Sequence, residues 1–73
     1  MTGMLWFDNQ PAPLAAKVQL AIDYYHSKYG KKPSHVYCSP ADYDPAASVP
    51  GVTIKPLKVI LRCHLWIGTE AQS

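Results

Sequence analysis

The sequence predicts an α+β fold of two layers, β-α-β-β-β in order, with one amphipathic helix packed on one face of a small mixed sheet. Three observations carry the prediction. A single stretch repeats its apolar residues at spacings of three and four, as a helix with one buried stripe does. Four short runs place large apolar or aromatic side chains as half-buried strands do. A chain of 73 residues leaves room for one domain, 1–73, with a frayed tail at 69–73.

The first run, Met4-Leu5-Trp6-Phe7, is rich in strand-forming residues, and the turn-prone Asp8-Asn9-Gln10-Pro11 ends it. The helix follows over Ala12 to Tyr29, with Asp8 or Asn9 as its expected cap and Pro11 or Pro13 in its first turn. Leu14, Val18, Ala21, Ile22, Tyr25 and Tyr29 form the stripe that meets the sheet; Ala16, Gln19, Asp23 and Ser27 form the solvated side. Gly30 stops the helix in a left-handed conformation, and Pro33 bars its continuation.

His35-Val36-Tyr37-Cys38 reads as the second strand. Ser39-Pro40-Ala41-Asp42 has the form of a capping box around one helical turn, with Ser39 as N-cap. From there to Gly51 the chain is a long loop, punctuated by the turn chemistry of Asp44-Pro45 and Val49-Pro50-Gly51. Val52-Thr53-Ile54-Lys55 alternates as a third strand, which Pro56 ends or assigns to an edge. Cys63-His64-Leu65-Trp66-Ile67 is the fourth, ending at Gly68. A right-handed crossover joins the first two strands if they are parallel, and the last two runs are expected to return as a meander.

One helix covers one sheet face, so the other face is the point of interest. Alternation assigns Leu5, Phe7, Val36, Cys38, Val52, Ile54, Cys63, Leu65 and Ile67 to the helix side. It assigns Met4, Trp6, His35, Tyr37, Thr53, Lys55, His64 and Trp66 to the far side. A one-residue slip in any strand swaps its two sets. Trp6, Tyr37, His64 and Trp66 are therefore the expected interface residues, since aromatic rings clustered on a surface mark a partner or ligand. The competing expectation is that the 39–51 loop folds under the sheet and covers these rings within one chain.

Composition narrows the classes. A charged fraction of 16% is low, and eight aromatic residues are the opposite of a disordered composition. Small domains of this size commonly add oligomerisation to a modest core. A net charge of +2 is too weak for a binder that works by phosphate neutralisation, so a nucleic-acid partner is not the first expectation. The run Val59-Ile60-Leu61 is far too short to span a membrane, and Met1–Phe7 lacks the features of a signal peptide. A cytoplasmic setting with reduced cysteines is expected.

The remaining constellations are weak. Lys28, Lys31 and Lys32 gather at the helix end, where cations complement the carbonyl terminus of the helix dipole. Together with Lys55 they serve the alternative reading, a weak single-stranded nucleic-acid binder that stacks bases on the aromatic face. Cys38, Cys63, His64, His35 and His26 lack the close ligand spacing of a zinc site, so no metal and no cofactor are expected. Cys63 and His64 are strand neighbours pointing opposite ways and do not make a catalytic dyad. Asp42 and Asp44 are read as turn residues, and no glycine-rich phosphate loop exists. The expected function is that of a non-enzymatic interaction module that self-associates, in two-fold fashion, through its aromatic sheet face. Addition of another protein's strand to a sheet edge, such as the one bearing Pro56, is a further route to a partner.

Overall fold

The structure, a computed structural model, describes residues 3–69; the expected tail beyond Thr69 lies outside them. Its elements are β1 (Gly3–Phe7), α1 (Leu14–Tyr29), β2 (His35–Cys38), β3 (Thr53–Pro56) and β4 (His64–Gly68). The four strands form one mixed sheet in the order β1-β4-β2-β3, and α1 packs on one of its faces. This is the predicted two-layer α+β arrangement.

The helix begins at Leu14 because two prolines, Pro11 and Pro13, and an Asx turn occupy the residues before it. Asp8 Oδ1 accepts the Gln10 N–H at 2.9 Å, so Asp8 closes its own turn and does not cap the helix. Pro13 stands at the cap position with an extended ψ of 149° and supplies no side-chain bond. Lys17 Nζ ties the first turn back to β1 by donating to the Asp8 carbonyl at 3.2 Å. At the other end Gly30 takes φ 72°, and its N–H donates to the His26 carbonyl at 2.8 Å, as expected of a left-handed cap.

Leu14, Val18, Ala21, Ile22 and Tyr25 bury the predicted stripe against Val36 and Cys38 of β2 and Leu65 and Ile67 of β4. A fully buried large apolar side chain contributes roughly 1.5–3 kcal/mol. Tyr29, expected in the stripe, is exposed at the helix end and leans on Tyr25, with ring centroids 4.7 Å apart.

The strand order corrects the expected meander. β3 lies parallel beside β2, while β4 enters between β1 and β2 and runs antiparallel to both. A parallel neighbour needs a connection of about a dozen residues, and the 39–52 stretch is long enough to carry the chain back to the start of β2. That stretch runs along the helix side. Val49 is buried in the core and Ala47 packs against it. Gly51, at φ 80°, makes the Pro50-Gly51 turn that bridges Val49 to Val52. The 39–51 loop therefore does not cover the far sheet face.

Three local expectations are also corrected. Residues 39–42 form a turn in place of a helical one: Ser39 Oγ accepts the Ala41 N–H at 3.2 Å, and Asp42 points elsewhere. Cys63 is not part of β4; it precedes the strand with φ 65°. In β1 the two faces are exchanged. Leu5 pairs with Trp66 and Phe7 with His64, whereas Met4 and Trp6 pack against the core. Trp6 meets Tyr24 of the helix, with ring centroids 5.1 Å apart and the planes tilted by 51°. Its placement on the far face was wrong because Met4–Phe7 is apolar at every position, and such a run holds no record of which residues alternate inward.

Candidate interface on the open sheet face

The face opposite α1 is built from alternate residues of all four strands. β1 contributes Gly3, Leu5 and Phe7; β4 contributes His64 and Trp66; β2 contributes His35 and Tyr37; β3 contributes Thr53 and Lys55. Of the expected interface residues the fold brings together Tyr37, His64 and Trp66, which share this face, and removes Trp6 to the helix side. Leu5 and Phe7 take its place, 58% and 59% exposed.

Ring packing organises the surface. Phe7 and His64 meet with centroids 5.0 Å apart, and His35 stacks along Tyr37 at 6.3 Å and 21°. His64 Nδ1 lies 2.8 Å from the Arg62 carbonyl, which can only accept, so that nitrogen is the donor. The Trp66 indole leans over Gly3: a Cβ built there falls 2.6 Å from the ring. Glycine at this position lets the tryptophan lie down on the sheet.

The 57–63 connection between β3 and β4 extends the apolar surface. The Leu57 N–H donates to the Cys38 carbonyl at 2.8 Å, and from there the chain passes the end of β2. Leu57, Val59 and Ile60 join Tyr37 and Trp66 around a groove of about 390 Å³. Val59 and Leu61 are 78% and 72% exposed. Sequence reasoning counted this run only as too short for a membrane; three consecutive β-branched or leucine residues in a loop were the available signal.

Asp42 holds the base of this connection. Its Oδ2 accepts the Cys63 N–H at 2.7 Å, and Oδ1 lies 3.4 Å from Arg62 Nε. With Asp8, Lys17 and Cys63 it lines a smaller pocket of about 140 Å³ on the helix side. Cys38 lies inside the core, where burial first and the Asp42 carboxylate second push its thiol up from the ordinary value. Both cysteines are free thiols.

The lysines of the alternative reading do not converge. Lys28 sits over the Tyr29 ring at 5.5 Å, Lys31 lies beside Tyr25 and Thr69, and Lys32 borders a groove with Pro50 and Val52. All three belong to the helix layer, while Lys55 is across the sheet on the open face. Among the described residues no three His, Cys, Asp or Glu side chains gather where they could hold a metal ion, and no helix is long and apolar enough to cross a membrane.

Set beside known proteins, the chain matches no family model, no curated protein and no solved structure. The reading of its function rests on the surface itself.

Proposed function

We propose that the protein is a non-enzymatic interaction module that self-associates as a two-fold dimer through its open sheet face, in a reducing, cytoplasmic setting. The observation that supports this most is the apolar surface formed by Leu5, Phe7, Tyr37 and Trp66 together with Leu57, Val59 and Ile60 of the adjoining groove. A second copy is the fitting occupant, because an isologous contact lays this patch on itself. An ordinary interface removes roughly 800 Å² from each partner, about a sixth of the 4788 Å² this chain exposes. A low charged fraction leaves few ions to desolvate in the process.

Sedimentation over a wide concentration range tests the reading. The open-face contact is expected to account for one doubling of the 8.1 kDa mass, and the Val59→Glu/Leu61→Glu double variant to lose that doubling. Both positions are exposed, so the variant retains its fold. A variant with the wild-type mass and concentration dependence would remove the open face from the contact.

One observation favours a second reading, single-stranded nucleic acid on the same face. No strand residue there is acidic, Lys55 is present, and Lys58 and Arg62 stand on the adjoining loop. Stacked bases on aromatic rings with cations beside them bind in a salt-dependent way. Titration with an oligonucleotide should then quench tryptophan emission, less so as salt rises. No quenching at low salt sinks this reading.

A further inference from the structure

The two edges of the sheet are unlike. β3, at one edge, carries Lys55 and ends in Pro56, a charge and a missing N–H of the kind that natural edge strands use against unwanted pairing. β1, at the other edge, is Gly-Met-Leu-Trp-Phe, without a charge, a proline or a bulge. From this contrast and the geometry below we infer that β1 pairs antiparallel with β1 of a second copy, joining two sheets into one continuous sheet. The contact goes beyond the open-face reading, since it uses the backbone of the strand edge.

The direction of the free backbone groups follows from the ladder. The Asp8 N–H donates to the Cys63 carbonyl at 2.9 Å, so the backbone of Asp8 faces β4. Antiparallel ladders alternate, so Met4 and Trp6 also face β4, while the N–H and C=O of Gly3, Leu5 and Phe7 point out from the edge. A two-fold axis through Leu5 sets Leu5 opposite Leu5, Met4 opposite Trp6 and Gly3 opposite Phe7. The outward groups are then the ones that pair: Leu5 with Leu5 and Gly3 with Phe7 each exchange both hydrogen bonds.

The side chains fit the same register. On the open face the partner's Phe7 comes opposite Gly3, the position with no side chain, and meets the edge of the Trp66 indole that lies over that glycine. On the other face Met4 meets the partner's Trp6, an adaptable thioether against a ring. The helix adds to it. Tyr24 stands against Trp6 above β1, and Tyr24 and Leu20 are half exposed on that flank, where the partner's helix approaches. A strand that matches its own reverse, with exposed apolar side chains above and below it, fits a second copy of this chain. With the open-face contact it yields a tetramer of dihedral symmetry; alone it yields a dimer.

Amide hydrogen exchange on the wild-type protein, read residue by residue at several concentrations, tests the pairing. The Leu5 and Phe7 amides should gain protection as concentration rises, in step with mass. Exchange at a solvent-exposed rate at every concentration overturns the inference, whatever the open face does. A pair of variants adds an independent reading. Leu5→Pro removes one outward N–H and leaves the β4 ladder whole, as an edge position allows, while Leu5→Ala removes the same side chain and keeps the N–H. The expected result is a twofold lower mass for Leu5→Pro than for Leu5→Ala; equal masses count against the edge contact.

Discussion

Asp42 and Cys63 show how a single residue can bind two parts of the chain that periodicity treats separately. Cys63 adopts φ 65°, a left-handed conformation that costs a non-glycine residue roughly 1–2 kcal/mol. The Asp42 carboxylate answers by accepting its N–H at 2.7 Å, a short charge-assisted bond. Asp42→Ala should therefore cost about 1–3 kcal/mol in urea unfolding, whereas Cys63→Gly should be neutral or stabilising because it relieves the backbone. Cys38 belongs to the same scale. Its thiol is held above the ordinary value of 9.0 by burial and then by Asp42, so the unfolded chain loses this proton first. Where the folded state binds more protons, stability falls as pH rises. The urea midpoint should hold to about pH 9 and decline above it, and Cys38→Ala should lack that part of the decline. An alkylating reagent should meet the partly exposed Cys63 before the buried Cys38.

At the level of elements, legibility tracked the contrast between neighbouring residues. α1, β2, β3 and, through His64, β4 mix polar and apolar side chains, so their inward sets were readable from spacing. β1 is apolar at Met4, Leu5, Trp6 and Phe7, and only pairing to β4 settles which of them face the helix. Gly3 is part of that settlement, because the Trp66 indole occupies the space its side chain would take. Gly3→Val should cost about 1–3 kcal/mol as the ring and the new methyls compete, and tryptophan emission should shift as the indole lifts. Gly30→Ala tests a different constraint. Nothing crowds a Cβ there, so the loss, about 1 kcal/mol, measures the positive φ alone. Thermal unfolding of the two variants separates crowding from backbone strain.

For the molecule as a whole, size and surface act together. A chain of 73 residues buries a limited core, and a partner that binds only the folded state adds stability by mass action. If the open face or the β1 edge is such a contact, the melting temperature should climb with protein concentration. In the Val59→Glu/Leu61→Glu variant the open-face share of that climb should vanish. A melting temperature independent of concentration from micromolar to millimolar would argue for a chain stable alone.

Local chemistry alone was enough to specify the helix and its glycine stop, the inward faces of β2 and β3, and the existence of a second, aromatic sheet face. Each of these depends on neighbours within a few residues: a period, a glycine, a proline. Strand order, the exchange of faces in β1, the reach of Asp42 to Cys63 and the addition of Leu57, Val59 and Ile60 to the open face depend on residues brought together from far along the chain. The 39–51 loop lies by the helix because Val49 finds a buried place there, a fact of packing volume that no local pattern encodes. Tertiary structure thus decided which aromatic rings meet solvent, and with them the surface from which function is read.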